Sequence, residues 1–138
     1  MKRLLTATAA IEAGAGLALV ALPSATATLL IGAPLAESAA FSVARVGGTG
    51  LLALGLACWC ARVDAQSRAA RGVVAAMLLY NLGAVVILGT AGLQSPSPGV
   101  GLWPAVALHL AMAVWCIVRL LSETGQPAGR SAERISAR

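Results

Sequence analysis

Charge is scarce in this chain. Asp, Glu, Lys and Arg make up 11% of the residues, where a soluble domain carries about a quarter. With 59% apolar residues and a mean hydropathy of +0.85, too little polar surface exists to solvate a water-soluble fold. Histidine occurs once, which excludes bis-His haem ligation within one subunit. The three cysteines, Cys58, Cys60 and Cys116, form no C-x-x-C pair. Successive helical residues turn by about 100°, so Cys58 and Cys60 point to nearly opposite sides of a helix and cannot chelate one ion. They read as small apolar residues. A P-loop, a dinucleotide fingerprint and a hydrolase nucleophile set are all missing. No metal, cofactor or catalytic residue is therefore expected, and enzymatic activity is the lesser expectation.

What the chain does have is long apolar runs. A hydrocarbon core about 30 Å thick needs about 20 apolar residues per helical crossing, and four segments reach that length: 4–22, 41–61, 72–91 and 102–121. The runs are continuous and lack the alternation of a barrel strand. The expected fold is an all-α membrane protein, a four-transmembrane-helix bundle occupying residues 1–121. Pro23 ends the first run, and residues 94–101, Gln-Ser-Pro-Ser-Pro-Gly-Val-Gly, break the chain before the fourth. Pro104 suits a first helical turn. Residues 23–40 exceed a tight turn and contain Leu29-Leu30-Ile31, which predicts a short interfacial helix covering one end of the bundle. Residues 122–138 turn to Ser, Glu, Gly, Gln, Pro and Arg, the composition of a disordered basic cytoplasmic tail.

Arginine orients the bundle. Lys2 and Arg3 precede the first span, Arg62, Arg68 and Arg71 join the second and third, and Arg119, Arg130, Arg134 and Arg138 close or follow the fourth. Arg45 alone falls toward the other face. Short cytoplasmic loops are enriched in Lys and Arg, so both termini are expected in the cytoplasm and the protein in the bacterial inner membrane. The net charge of +5 then serves topology and anionic lipid, and no nucleic-acid partner is implied. A rival reading makes the first run a signal peptide cleaved after Ala25-Thr26-Ala27. Glu12 in the centre of that run, and the run's length, favour a retained helix.

Ionisable groups inside such runs are the best clue to a site. A charge near the bilayer centre costs about 2.5–3.5 kcal/mol even on the mildest scale. At about 1.5 Å of rise per residue, Glu12 lies about 13 Å from Arg3, Asn81 about 15 Å from Arg71 and His109 about 15 Å from Arg119. Three helices thus carry polar groups at one depth, and Glu12, Asn81 and His109 are expected to face one another. The inward faces would be Thr8, Glu12 and Gly16 on the first helix, and Leu102, Ala105, His109, Met112, Ala113 and Cys116 on the last. Arg45 lies about 10 Å further out, within extended reach of Glu12, of Glu37 or of lipid phosphate. Tyr80 adds a hydroxyl on a neighbouring face. The cluster is either interhelical glue or a proton-coupled, ligand-binding site.

Small residues predict how the helices associate. Ala10, Gly14 and Ala18 recur every four residues on the first helix, and Gly47, Gly48, Thr49 and Gly50 narrow the second. Such density suits a flat, tight bundle without an interior cavity.

Glu12-Ala-Gly-Ala-Gly-Leu17 with Pro23, Ala44-Arg45-Val46-Gly47-Gly48, Leu79-Tyr80-Asn81 and Leu102-Trp103-Pro104 resemble a group of small uncharacterised bacterial four-helix membrane proteins, broadly DoxX-like, over residues 4–121. That resemblance implies a membrane subunit, in some members associated with thiosulfate oxidation and quinone reduction. None of their catalytic motifs maps onto a residue here. A membrane-embedded Glu in the first of four short helices is also the layout of small multidrug transporters, whose remaining pattern is missing. The expected role is an accessory or interaction subunit, or a small transporter, with the lipid bilayer and a membrane-protein partner or homo-oligomer as associates. The alternative is a quinone-associated subunit of a redox complex.

Overall fold

A computed structural model describes residues 1–124, with side chains described to Ser122. The expected tail from residue 125 onward lies outside the described residues. Regular structure among them is entirely helical: α1 Lys2–Ala21, α2 Pro23–Ile31, α3 Ser38–Ala61, α4 Arg68–Gln94 and α5 Leu102–Thr124. Four of these, all but α2, are long and apolar enough to cross a membrane, the layout of a multi-pass membrane protein. Their outer surfaces fit that solvent. Val43, Val46, Leu79, Val86 and Leu93 are all exposed, a display of aliphatic surface that water would not tolerate but lipid does.

Helix boundaries follow local chemistry. Ser67 caps α4, its Oγ accepting from the Ala70 N–H at 3.1 Å, so Arg68 and Arg71 belong to the helix and not, as expected, to the preceding loop. A helix need not stop where the apolar stretch does. Pro23 starts α2 at a position where its missing N–H is no loss. Gly32 ends it with φ 81°, in the left-handed region that glycine enters without penalty. The helix expected within 23–40 is thus present. It is tied at its C-terminal end to the segment before α5, where the Gly101 N–H donates to the Leu29 carbonyl at 2.9 Å.

The long helices form two pairs. α1 packs mainly on α3 and α4 mainly on α5, with less contact between the pairs. The α1–α3 pair is close because glycines meet. A Cβ on Gly16 would sit 2.7 Å from the Gly48 carbonyl oxygen, and one on Gly48 would sit 2.8 Å from that of Gly16. A turn or two away, a Cβ on Gly55 would crowd Ala9 and Ala13 backbone atoms at 3.2 Å. Close backbone approach of this kind replaces the hydrophobic drive that lipid cannot supply. It corrects the expected stripe: Ala10 and Gly14 are exposed, and nothing lies within 4 Å of a Cβ on Gly14, Gly47 or Gly50. All faces of α1 carry small residues, so four-residue spacing alone could not choose among them.

Where the pairs meet, the core is confined to one end. Leu4 and Leu5, Cys58, Ala70, Val74, Met77, Met112 and Cys116 form a single buried cluster. The first turns of α1, the end of α3, the start of α4 and the second half of α5 therefore converge, and the arginine-bearing ends of the helices share one end of the bundle. Arg62 stacks there over the Trp59 ring, 3.4 Å from its centroid, a cation–π contact.

Candidate functional site

Beyond that core the two pairs separate around a cavity of about 620 Å³, which overturns the expectation of a bundle without interior space. Its wall is aliphatic apart from Glu12, Thr26, Tyr80 and His109. Leu29 and Leu30 of α2 line its outer part. Four wall residues, Ala15, Leu29, Ile87 and Leu108, are themselves exposed, so the cavity has an open side framed by apolar side chains.

Each polar group is placed by its helix. Glu12 is 3% exposed and shares the buried face of α1 with Thr8 and Gly16, as the 3.6-residue period predicts. Its stem rests on α3, where a Cβ on Gly55 would lie 3.5 Å from Glu12 Cβ. The carboxyl group lines the cavity and has no hydrogen-bond or ion-pair partner among the described residues. Arg45 does not supply one. It is exposed on α3 and is not part of the cavity wall, so the expected reach toward Glu12 is not made.

Asn81 and His109 do meet. The buried Asn81 amide donates from Nδ2 to the Met77 carbonyl at 2.7 Å, one turn back on its own helix. That fixes the amide's direction and leaves Oδ1 toward His109 Nδ1 at 2.8 Å. Because Oδ1 can only accept, Nδ1 carries the hydrogen, and in the neutral ring Nε2 is a free acceptor. Tyr80 sets its ring edge-on to the imidazole, with centroids 5.6 Å apart and planes at 79°. The expected inward face of α5 is present, with Leu102, Met112, Ala113 and Cys116 buried and Ala105 and His109 half-buried.

The expected trio therefore divides. Glu12 and His109 line one cavity, whereas Asn81 stands behind the imidazole and is absent from the wall. Tyr80 takes its place. The adjacent residue on a helix is rotated by about 100°, so Tyr80 faces the cavity while Asn81 turns to His109. Thr26 and the α2 leucines were not anticipated either, because nothing in residues 23–31 marks which face turns inward.

Chemically, the arrangement offers a dry, aliphatic chamber with a carboxyl group on one wall and an imidazole backed by an amide on another. Among the described residues no three His, Cys, Asp or Glu side chains gather at a common point. No family model, curated protein or solved structure matches this chain.

Proposed function

We propose that the protein is a small inner-membrane transporter or accessory subunit that takes a lipid-soluble ligand between its two helix pairs, with Glu12 as the group that couples binding to a proton. The observation that carries this reading is the Glu12 carboxyl, buried in an apolar cavity with no hydrogen-bond partner among the described residues. An ionisable group so placed is expensive, and a packing role would give it a partner. About 620 Å³ is within the usual range of about 300–1,000 Å³ for small-molecule sites. Tyr80 from α4 and His109 from α5 line the same cavity as Glu12. Clustered arginines support cytoplasmic placement of the closed end.

The test is photolabelling in nanodiscs with an alkyl diazirine. Adducts are expected on Tyr80, Ala84 and Leu88, which are half-buried, and Leu88→Trp should remove them while leaving those on lipid-facing Val43 and Val46 unchanged. Labelling confined to outward-facing positions would refute a ligand cavity. Proton coupling is read separately: Glu12→Gln should abolish any pH dependence of flux in proteoliposomes without loss of insertion.

A second reading makes the occupant a quinone and the protein a membrane subunit of a redox complex. It draws on the DoxX-like resemblance and on the presence of two hydrogen-bonding groups, Glu12 and His109, on different helices of one apolar cavity. Solvent extraction of the purified protein, yielding quinone in proportion to protein, would favour it.

A further inference from the structure

The polar groups of the cavity share a chemical sense. Glu12 presents a carboxyl group with no donor among the described residues. His109 Nδ1 is committed to Asn81 Oδ1, leaving Nε2 as an acceptor in the neutral ring. Thr26 spends its hydroxyl hydrogen on the Leu22 carbonyl at 2.9 Å, so only its lone pairs remain. Tyr80 alone can donate as well as accept. Among the described residues no Lys or Arg lines the cavity, and the rest of the wall is aliphatic.

A site with one carboxylate, two further acceptors and no cation selects a head that donates hydrogen bonds and carries positive charge. We propose that the cavity binds a lipophilic ammonium, an amine with a single apolar body, whose N–H groups donate to the Glu12 carboxylate and His109 Nε2 while the body lies along Leu29, Leu30, Leu88 and Leu108. This rests on the ligand-cavity reading above and adds the ligand's chemical class. An anionic head would meet the Glu12 charge without compensation. An acceptor head, such as a pair of ketone oxygens, would find one donor in Tyr80 and a second only if Glu12 or His109 were protonated. A quaternary ammonium keeps the charge but has no hydrogen to give. The open side framed by Leu29, Ile87 and Leu108 admits an amphiphile from the lipid phase with its tail trailing.

The experiment is equilibrium binding of tritiated dodecylamine to the full chain in nanodiscs, with protein-free nanodiscs subtracted, against dodecyltrimethylammonium, dodecanol and dodecanoate as competitors. Dodecylamine should bind at least about tenfold more tightly than dodecanoate, the span of a charge-assisted hydrogen bond, with the quaternary amine and the alcohol between them. Glu12→Gln should cut dodecylamine affinity by a similar factor and leave dodecanol within about twofold. Saturable binding of all four compounds with equal affinity would overturn the ammonium assignment while preserving the cavity reading. Tighter binding of dodecanoate would overturn it too. Absence of saturable binding for every head, together with failure of the diazirine labelling, would defeat the cavity reading itself. The comparison of heads on the unaltered protein decides the matter even if Glu12→Gln does not fold.

Discussion

Asn81 holds His109 from behind: its Oδ1 receives the Nδ1 hydrogen at 2.8 Å while its own Nδ2 is spent on the Met77 carbonyl. One amide thereby joins α4 to α5 and decides which imidazole nitrogen is left for the cavity.

Removing either partner should destabilise the α4–α5 pair by about 1–3 kcal/mol, because a buried donor or acceptor is then orphaned. The coupling between them is expected to be smaller, about 0.6 and at most about 1.7 kcal/mol, as for other interhelical bonds in lipid. A double-mutant cycle with Asn81→Leu and His109→Phe, read by steric-trap unfolding, measures both. Strict additivity of the two losses would show that the bond contributes nothing.

Gly16 and Gly48 should be intolerant where Gly14 and Gly47 are not. With opposing carbonyl oxygens at 2.7 and 2.8 Å from the added Cβ, Gly16→Ala or Gly48→Ala should cost about 1–3 kcal/mol through overpacking. Gly14→Ala, facing open space, should be neutral or slightly stabilising. Thermal inactivation or unfolding in SDS ranks the variants, and an equal loss at Gly14 would count against the α1–α3 contact.

The cysteines should differ in reactivity and be jointly dispensable. Cys58 and Cys116 are buried in the core, whereas Cys60 is exposed, as their opposed helical directions predict. A membrane-permeant maleimide should modify Cys60 alone until the protein is unfolded. Replacing all three by Ala should cost about 1 kcal/mol per buried site and preserve assembly. A cofactor or metal lost from an otherwise folded triple variant would contradict the inert assignment.

Glu12 and His109 line the same cavity, so cysteines placed at both positions in a cysteine-free background should be joined by a bismaleimide of about 10 Å, close to the helix-to-helix separation. A pair at 14 and 109 should not react, since Gly14 is exposed on another face of α1. Reaction of the second pair and not the first would reverse the assigned face.

Reporter fusions test the orientation. Cytoplasmic activity is expected from fusions after Arg138 and within residues 62–67, and periplasmic activity within residues 95–99, because the arginines gather at one end of the bundle. Periplasmic activity after Arg138 would invert the topology.

The spans were legible because length and hydropathy in lipid leave little choice of secondary structure. Thr8, Glu12 and Gly16 were legible as an inward face because an ionisable group identifies the side that must avoid lipid. His109 does the same for α5. Where no such group occurs the signal fails: Ala10, Gly14 and Ala18 have the spacing of a packing stripe, yet Ala10 and Gly14 are exposed and Ala18 lines the cavity. The cavity was illegible for a related reason. It lies between α1 and α3 on one side and α4 and α5 on the other, a relation between helices that no single helix records. Arg45 had Glu12, Glu37 and lipid phosphate within its extended reach, and its exposed place on α3 away from the cavity wall leaves Glu12 unreached.

The mutual glycine contact has a mechanical consequence. With no side chain between them, α1 and α3 have little play against each other and behave as one stiff plank, opposed to the α4–α5 plank across the Met77 and Cys116 packing. A rocking of one pair against the other would have to break the Gly101 N–H to Leu29 carbonyl bond, which joins α2 to the segment before α5.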